Sequence, residues 1–167
     1  MMQALVVGAG PGGLAVSREL TVRGVEHVVL EGGEGPGHCW AGVYESLRLH
    51  TGRHLSALPG LPLPRSAPLF VPASDFLAYL RDYASAFDLP IRTRCPATAA
   101  VRESGHWRVD TPVGPLEART LVMATGIMSN PYTPLIAGRE DFGGTVRHSI
   151  EYLRPAPFVG RRVLVVG

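Results

Sequence analysis

Apolar residues bunch at the start of the chain. Gln3 to Val7 is an apolar run ending in Gly8, and it reads as a strand buried on both faces. From Pro11 to Arg23, apolar Leu14, Ala15, Leu20 and Val22 are interleaved with polar Ser17, Arg18 and Glu19. That spacing predicts a helix, and Gly24 is placed to stop it. Glu26 to Leu30 then carries His-Val-Val-Leu, a second buried strand closed by Glu31. Strand, helix and strand in the first 31 residues form a βαβ unit and imply a parallel sheet.

The pattern breaks between Gly32 and Arg65, where Gly, Pro, His and Arg dominate and only a short helix near Arg53 to Ala57 is expected. So long an irregular stretch inside a domain usually serves function. Helical spacing returns with Phe76, Leu77, Leu80, Tyr83, Ala84 and Phe87. Ser74 is the expected N-cap, Asp75 lies in the first turn, and Leu89-Pro90 ends the helix. Two strands, Ala97 to Arg102 and His106 to Thr111, are predicted around a turn at Glu103 to Gly105. A third strand is predicted at Leu116 to Arg119, and Leu121 to Ala124 reads as a separate buried run ended by Thr125-Gly126. Residues 127–160 are again rich in Pro and Gly, and Val163 to Gly167 (VLVVG) nearly repeats Ala4 to Gly8 (ALVVG).

Composition narrows the classes. The chain has 167 residues, 46% hydrophobic and 18% charged, a globular mix of one-domain length. A net charge of +2 gives no reason to expect nucleic acid as a partner. No apolar run reaches the roughly 18 residues that span a membrane, and no basic region precedes an apolar stretch at the N-terminus. No membrane association and a cytoplasmic location are therefore expected. Cys39 and Cys95 form neither a disulfide framework nor a metal-ligand spacing, so no metal is expected.

The sharpest chemical signal is Gly8-Ala9-Gly10-Pro11-Gly12-Gly13, which fits G-x-G-x-x-G. Gly8 permits the turn out of the strand, Gly10 lets a pyrophosphate approach the backbone, and Gly13 lets helix and strand pack closely. Pro11 and Gly12 open the helix, whose N-terminus offers N–H groups and partial positive charge to phosphates. Glu31 lies at the end of the second strand, where its carboxylate can accept ribose hydroxyls and would repel a 2′-phosphate. The motif follows a strand and opens a helix, so a dinucleotide site is expected. Glu31 disfavours NADP there without separating FAD from NAD.

Three further segments carry a resemblance to a known family. Leu121 to Gly126 (LVMATG) ends a strand in Ala-Thr-Gly, three short strands precede it, and Phe142-x-Gly144-x-x-x-His148-x-x-x-Tyr152 comes shortly before VLVVG. With Trp40, Leu47 to Thr51 (LRLHT) and Trp107, these segments resemble the flavin-containing monooxygenases, the class B flavoprotein monooxygenases. The resemblance covers the whole chain and is greatest to the plant indole-pyruvate monooxygenase branch and its bacterial relatives. Two departures count. Trp40 is followed by Ala41-Gly42-Val43-Tyr44 and the signature ends in Tyr152, unlike the Baeyer–Villiger pattern. Tyr44 stands where the disulfide reductases place the second Cys of C-x-x-x-x-C, which rules out redox chemistry through that pair.

The resemblance implies an α/β fold. Residues 1–126 would be a Rossmann-like FAD-binding domain with an antiparallel β-meander at about 97–119, and 127–160 a linker with the signature. Residues 161–167 would be the first strand of a truncated NAD(P)H-binding domain, with Gly167 the first glycine of its loop. It implies FAD and NADPH as cofactors, and O2 and a small organic molecule as substrates. One oxygen atom would be inserted through a C4a-hydroperoxyflavin, with the flavin supplying the chemistry. Gly8, Gly10, Pro11, Gly12, Gly13, Glu31, Trp40, Thr125 and Gly126 would contact the cofactor, Trp40 beside the flavin ring. His50 and Thr51 would be flavin-proximal donors, and His148 would be coupled to NADPH positioning. This chain alone, as an N-terminal fragment, is expected to bind FAD weakly without turnover. Alternatives at this stage are an FAD- and NAD(P)-dependent reductase that makes no oxygenated product, or a non-catalytic FAD-binding half of a split flavoprotein. The identity of the substrate and the oligomeric state are not legible.

Overall fold

A computed structural model of the chain describes residues 1–166. Strand β1 (Met2–Val7) is followed by helix α1 (Pro11–Val22) and strand β2 (His27–Leu30). A single 3-10 turn at His38–Gly42 and a four-residue helix α2 (Arg53–Ser56) punctuate the irregular stretch. Helix α3 (Ala73–Ala86) leads to strands β3 (Ile91–Arg92), β4 (Ala99–Glu103), β5 (His106–Asp110) and β6 (Leu116–Met123).

All six strands form one sheet in the order β3-β2-β1-β6-β5-β4. The expected βαβ unit is present: Ala4 to Val7 run parallel to His27 to Leu30. On the other side of β1, Ala4 to Val7 run parallel to Thr120 to Met123. The meander is therefore not a sheet of its own. Ala118 is opposite Met2 on one side and Trp107 on the other, so β6 joins the parallel half to the antiparallel half.

Strand alternation sorts the core into two faces. Val6 and Val29 point toward α1 and α3, where they meet Leu14, Val71, Phe76, Leu80 and Tyr83. Leu5, Val28 and Leu30 point to the opposite face and pack with Cys95, Val109 and Ala118. Burying each of the Val, Leu and Phe side chains stabilises the fold by roughly 1.5–3 kcal/mol relative to exposure. Helix α1 ends where expected: the Gly24 and Val25 amides donate to the Thr21 and Leu20 carbonyls, which satisfies two terminal acceptors.

Several expectations are corrected. The third meander strand and the run at Leu121 to Ala124 are one continuous strand, because β-branched Thr120 extends the ladder instead of breaking it. That run is only half-buried, and Met123 is exposed at its carboxyl end. Ser74 is not the N-cap of α3. Pro72 holds that position, and the Ser74 hydroxyl bonds the neighbouring Asp75 carboxylate at 3.2 Å. Ser17, one of the polar residues interleaved along α1, is fully buried. Strand β3 was not anticipated, being only two residues long. No strand forms over the described part of 161–167: residues 163–166 lie exposed and have no ladder partner. An apolar run becomes a strand only where another strand offers its edge. Gly167 lies outside the described residues.

Candidate functional site: the crevice at the end of β1

Strand β1 is the point where the parallel strands diverge. The chain moves through α1 to β2 on one side, and β6 lies on the other. Ligands of open α/β sheets bind outside the carboxyl ends of strands at such a point. The glycine loop leaves β1 there.

Each glycine of the loop has a distinct local reason. Gly8 has φ of +102°, a conformation that side chains rarely adopt, and a Cβ there would run into the Ala124 carbonyl oxygen. A Cβ on Gly13 would run into the Gly8 carbonyl oxygen, so helix and strand could not approach as they do. Gly10 and Gly12 differ. A Cβ on either meets no atom within 4 Å, so packing within the chain does not demand glycine at these positions. Gly10 is the N-cap of α1 and Pro11 its first residue, and the first turn carries no acidic side chain to offset the helix dipole. The loop thus presents bare backbone and the positive end of a 12-residue helix to the crevice.

Thr125 and Gly126 complete the rim. The Ala124 amide donates to the Val7 carbonyl at 2.8 Å, which extends the β1–β6 ladder to the level of Gly8. Thr125 and Gly126 follow immediately and are exposed. Glu31 reaches the loop from β2: its carboxylate accepts the Ala9 N–H at 2.9 Å and the Gly33 N–H at 2.8 Å. The structure therefore brings together Gly8, Gly10, Pro11, Gly12, Gly13, Glu31, Thr125 and Gly126.

Trp40 belongs to the 3-10 turn that closes over the loop, tied to it by the Gly37 N–H donating to the Ala9 carbonyl at 2.8 Å. Its indole is half-buried and meets the edge of Phe76 with ring centroids 4.9 Å apart. Beside it, Cys39 is exposed. Partial desolvation, then the charge of Glu31, hold its thiol above the usual range, so it stays protonated at neutral pH. Cys39 and Cys95 are both free.

His50 and Thr51 lie outside this cluster. Both are exposed on the stretch leading to α2, and the Thr51 hydroxyl pairs with that of Ser56 at 2.7 Å. His148 lies in the linker. Its Nδ1 accepts the Ile150 N–H at 3.1 Å, and Glu151 accepts the His148 N–H at 3.2 Å, a reciprocal cap of a single helical turn. That turn sets Tyr152 against Tyr44 and Phe158, with ring centroids 5.8 Å apart in each pair. The Glu45 N–H donates to the Leu153 carbonyl at 2.9 Å, so the signature segment is fastened to the stretch that follows the 3-10 turn.

Sequence reasoning missed three features. Ala9 enters the site through its backbone alone, which no residue type signals. Buried Ser17 bonds His27 Nε2 at 2.8 Å, while His27 Nδ1 donates to the Val25 carbonyl at 2.8 Å. Tyr79 and Tyr83, one helical turn apart, fix the 58–61 turn: Tyr79 donates to the Leu61 carbonyl and accepts the Leu58 N–H, and Tyr83 donates to the Pro59 carbonyl. Their i, i+4 spacing was a usable signal for that clamp. Among the described residues, no group of His, Cys, Asp and Glu could hold a metal ion, and no helix is long and apolar enough to cross a membrane.

Comparisons with known proteins agree with this geometry. A family profile described as "Pyridine nucleotide-disulphide oxidoreductase" matches residues 5–167. The indole-3-pyruvate monooxygenase YUCCA1 of Oryza sativa subsp. japonica is 38% identical over 168 aligned positions, 98% of this chain and 41% of that protein. The chain thus spans about two fifths of the length of the curated relatives it matches. Among solved structures, a flavin-containing monooxygenase from Stenotrophomonas maltophilia superposes with a TM-score of 0.86 at 31% identity, covering 94% of this chain and 48% of that one. The OTEMO protein in complex with FAD and NADP superposes with a TM-score of 0.74 at 28% identity, covering 90% of this chain and 30% of that one.

Proposed function

The chain belongs to the pyridine nucleotide-disulphide oxidoreductase family, and from that premise we propose that it forms the FAD-binding half-site of an NADPH-dependent flavin monooxygenase. One observation carries the proposal. Gly10 and Gly12 are open where packing within the chain does not require glycine, at the positive end of α1, beside the Glu31 carboxylate just past β2. That combination fits a dinucleotide whose pyrophosphate lies on the loop and whose adenosine ribose faces Glu31. Residues 1–126 act as the FAD domain and 127–160 as the linker. FAD supplies the activation of O2 and the transfer of one oxygen atom to a small organic substrate.

The chain's own residues bind, orient and shield. Gly10, Gly12 and Gly13 offer backbone to phosphate, Gly8 and Pro11 shape the loop, and Thr125-Gly126 border the crevice opposite Glu31. Trp40 packs beside the flavin ring, its indole steadied by Phe76. His50 and Thr51 serve as flavin-proximal hydrogen-bond donors. Their support is the LRLHT segment and its two backbone hydrogen bonds to 71–73, the Leu49 N–H to the Val71 carbonyl and the Ala73 N–H to the Leu47 carbonyl, each 2.9 Å. His148 orders the turn that carries Tyr152 and so positions the linker for NADPH. The relatives' monooxygenase activity and the absence of a C-x-x-x-x-C pair favour oxygenation over disulfide reduction.

The test is a titration of the purified chain with FAD, followed by quenching of flavin fluorescence. The expected result is saturable uptake that weakens in Glu31→Ala. A chain that leaves flavin fluorescence unchanged at all concentrations overturns the reading.

A further inference from the structure

Glu31 is the loop's expected ribose acceptor, but its carboxylate is already engaged by the protein. Oε2 accepts the Ala9 N–H and Oε1 accepts the Gly33 N–H. Ala9 lies just past Gly8, where the chain turns out of β1, and Gly33 lies two residues beyond Glu31. One side chain therefore bridges the exits of two neighbouring strands, across 22 residues of sequence.

The bridge is anchored at both ends. The Glu31 N–H donates to the Arg92 carbonyl at 2.9 Å and its carbonyl accepts the Cys95 N–H at 2.8 Å, so the backbone of Glu31 is held by β3 and its extension. Ala9 is fully buried, and its carbonyl accepts the Gly37 N–H. With its amide taken by Glu31, Ala9 is fixed at the nitrogen, at the side chain and at the oxygen. A charged acceptor makes these hydrogen bonds stronger than neutral ones. Two N–H donors also offset the cost of partly burying the carboxylate.

We propose that Glu31 is a positioning residue for the glycine loop, holding Ala9 and Gly33 in register before any ligand arrives. This role is distinct from ribose contact. Each carboxylate oxygen has given one lone-pair site to the backbone and keeps another for a ligand hydroxyl. The bridge presents Gly10, Gly12 and Gly13 in a fixed arrangement, so the dinucleotide meets an ordered loop and loses less affinity to ordering it. The importance of the bridge to binding rests on the FAD reading above, but its existence does not.

Amide hydrogen exchange on the full, ligand-free 167-residue chain separates the two. The Val29 amide, which donates to the Pro90 carbonyl, serves as the folding control. Glu31→Ala is expected to speed exchange at Ala9 and Gly33 by roughly tenfold or more, the loss of a charge-assisted bond, with Val29 still protected. In Glu31→Gln only one amide keeps an acceptor, so exchange accelerates at one of the two. Wild-type exchange at Ala9 in a Glu31→Ala chain with protected Val29 overturns the proposal. If Glu31→Ala also loses protection at Val29, the Glu31→Gln chain decides: unchanged exchange at both amides overturns it, and faster exchange at one supports it. Flavin uptake is read on the same samples by fluorescence. A chain that takes up no FAD removes the cofactor reading and leaves the exchange result standing.

Discussion

Ala4 to Val7 and Val163 to Val166 differ in one letter of four and meet opposite surroundings. Leu5, Val6 and Val7 are 0%, 0% and 8% exposed, whereas Leu164, Val165 and Val166 are 87%, 85% and 70% exposed. The first run lies between β2 and β6, with a ladder on each edge and side chains packed on each face. The second has no ladder partner among the described residues. Hydropathy states what a segment gains from burial, whereas pairing decides whether the gain is realised. The contrast extends along the chain. The first 126 residues hold both core clusters. Residues 127–166 leave Ile127, Leu135 and Phe142 exposed and touch the first unit through Tyr152, Leu153 and their partners.

The widest gap should appear when both runs receive the same change. Leu5→Asp places a carboxylate in the second core cluster without a partner. Its cost exceeds about 4 kcal/mol, enough to abolish a cooperative thermal transition in circular dichroism. Leu164→Asp alters a side chain already in solvent and should shift stability by less than about 0.5 kcal/mol. Equal losses in the two variants would mean that 163–166 is packed in solution, and the contrast would fail.

The next comparison lies inside the glycine loop. Gly13→Ala forces α1 away from β1 and should cost about 1–3 kcal/mol in urea unfolding. Gly10→Ala meets no neighbour and only replaces one N-cap residue by a poorer one, so it should lower the urea midpoint less than Gly13→Ala does while flavin retention falls. A Gly10→Ala chain that retains FAD like the parent would remove phosphate approach as the reason for glycine there.

A smaller effect is expected at Ser17. Ser17→Ala leaves buried His27 Nε2 without its partner while His27 Nδ1 stays on the Val25 carbonyl. The expected loss is about 1–2 kcal/mol, read from the denaturation midpoint. A neutral outcome would mean that water replaces the hydroxyl.

The parts legible in the sequence were those whose signals are local. The βαβ unit, the glycine loop, Glu31 and the apolar stripe of α3 all follow from spacing and residue type, with boundaries within a residue or two. The illegible parts depend on partners far along the chain. Strand β3 exists because Val29 and Glu31 offer it their N–H groups as an edge. Ser17 is buried because His27 lies ten residues away on β2. The fate of 163–166 depends on an edge that its letters do not encode. In the site, Gly8 and Gly13 were legible with their reasons. Trp40, His50, Thr51 and His148 came from family resemblance, since nothing in their spacing brings them to the loop.

The tyrosines of α3 couple stability to pH only in the alkaline range. Tyr83 is fully buried beneath the 58–61 turn, and its hydroxyl donates to the Pro59 carbonyl at 2.7 Å. Burial disfavours the phenolate, so the group is pushed from its ordinary 10 up to about 12. A phenolate could not donate that hydrogen bond. The folded chain therefore holds this proton more tightly than the unfolded chain does. Below pH 10 both states are protonated and the contribution is fully present; it is lost as pH rises from 10 through 12. Tyr79 is shifted in the same direction, also by burial, so Tyr83→Phe should flatten the decline in urea midpoint across this window without removing it. If Tyr83→Phe falls as steeply as the parent between pH 10 and 12, the alkaline loss comes from elsewhere, and the tyrosine clamp does not couple helix α3 to the 58–61 turn.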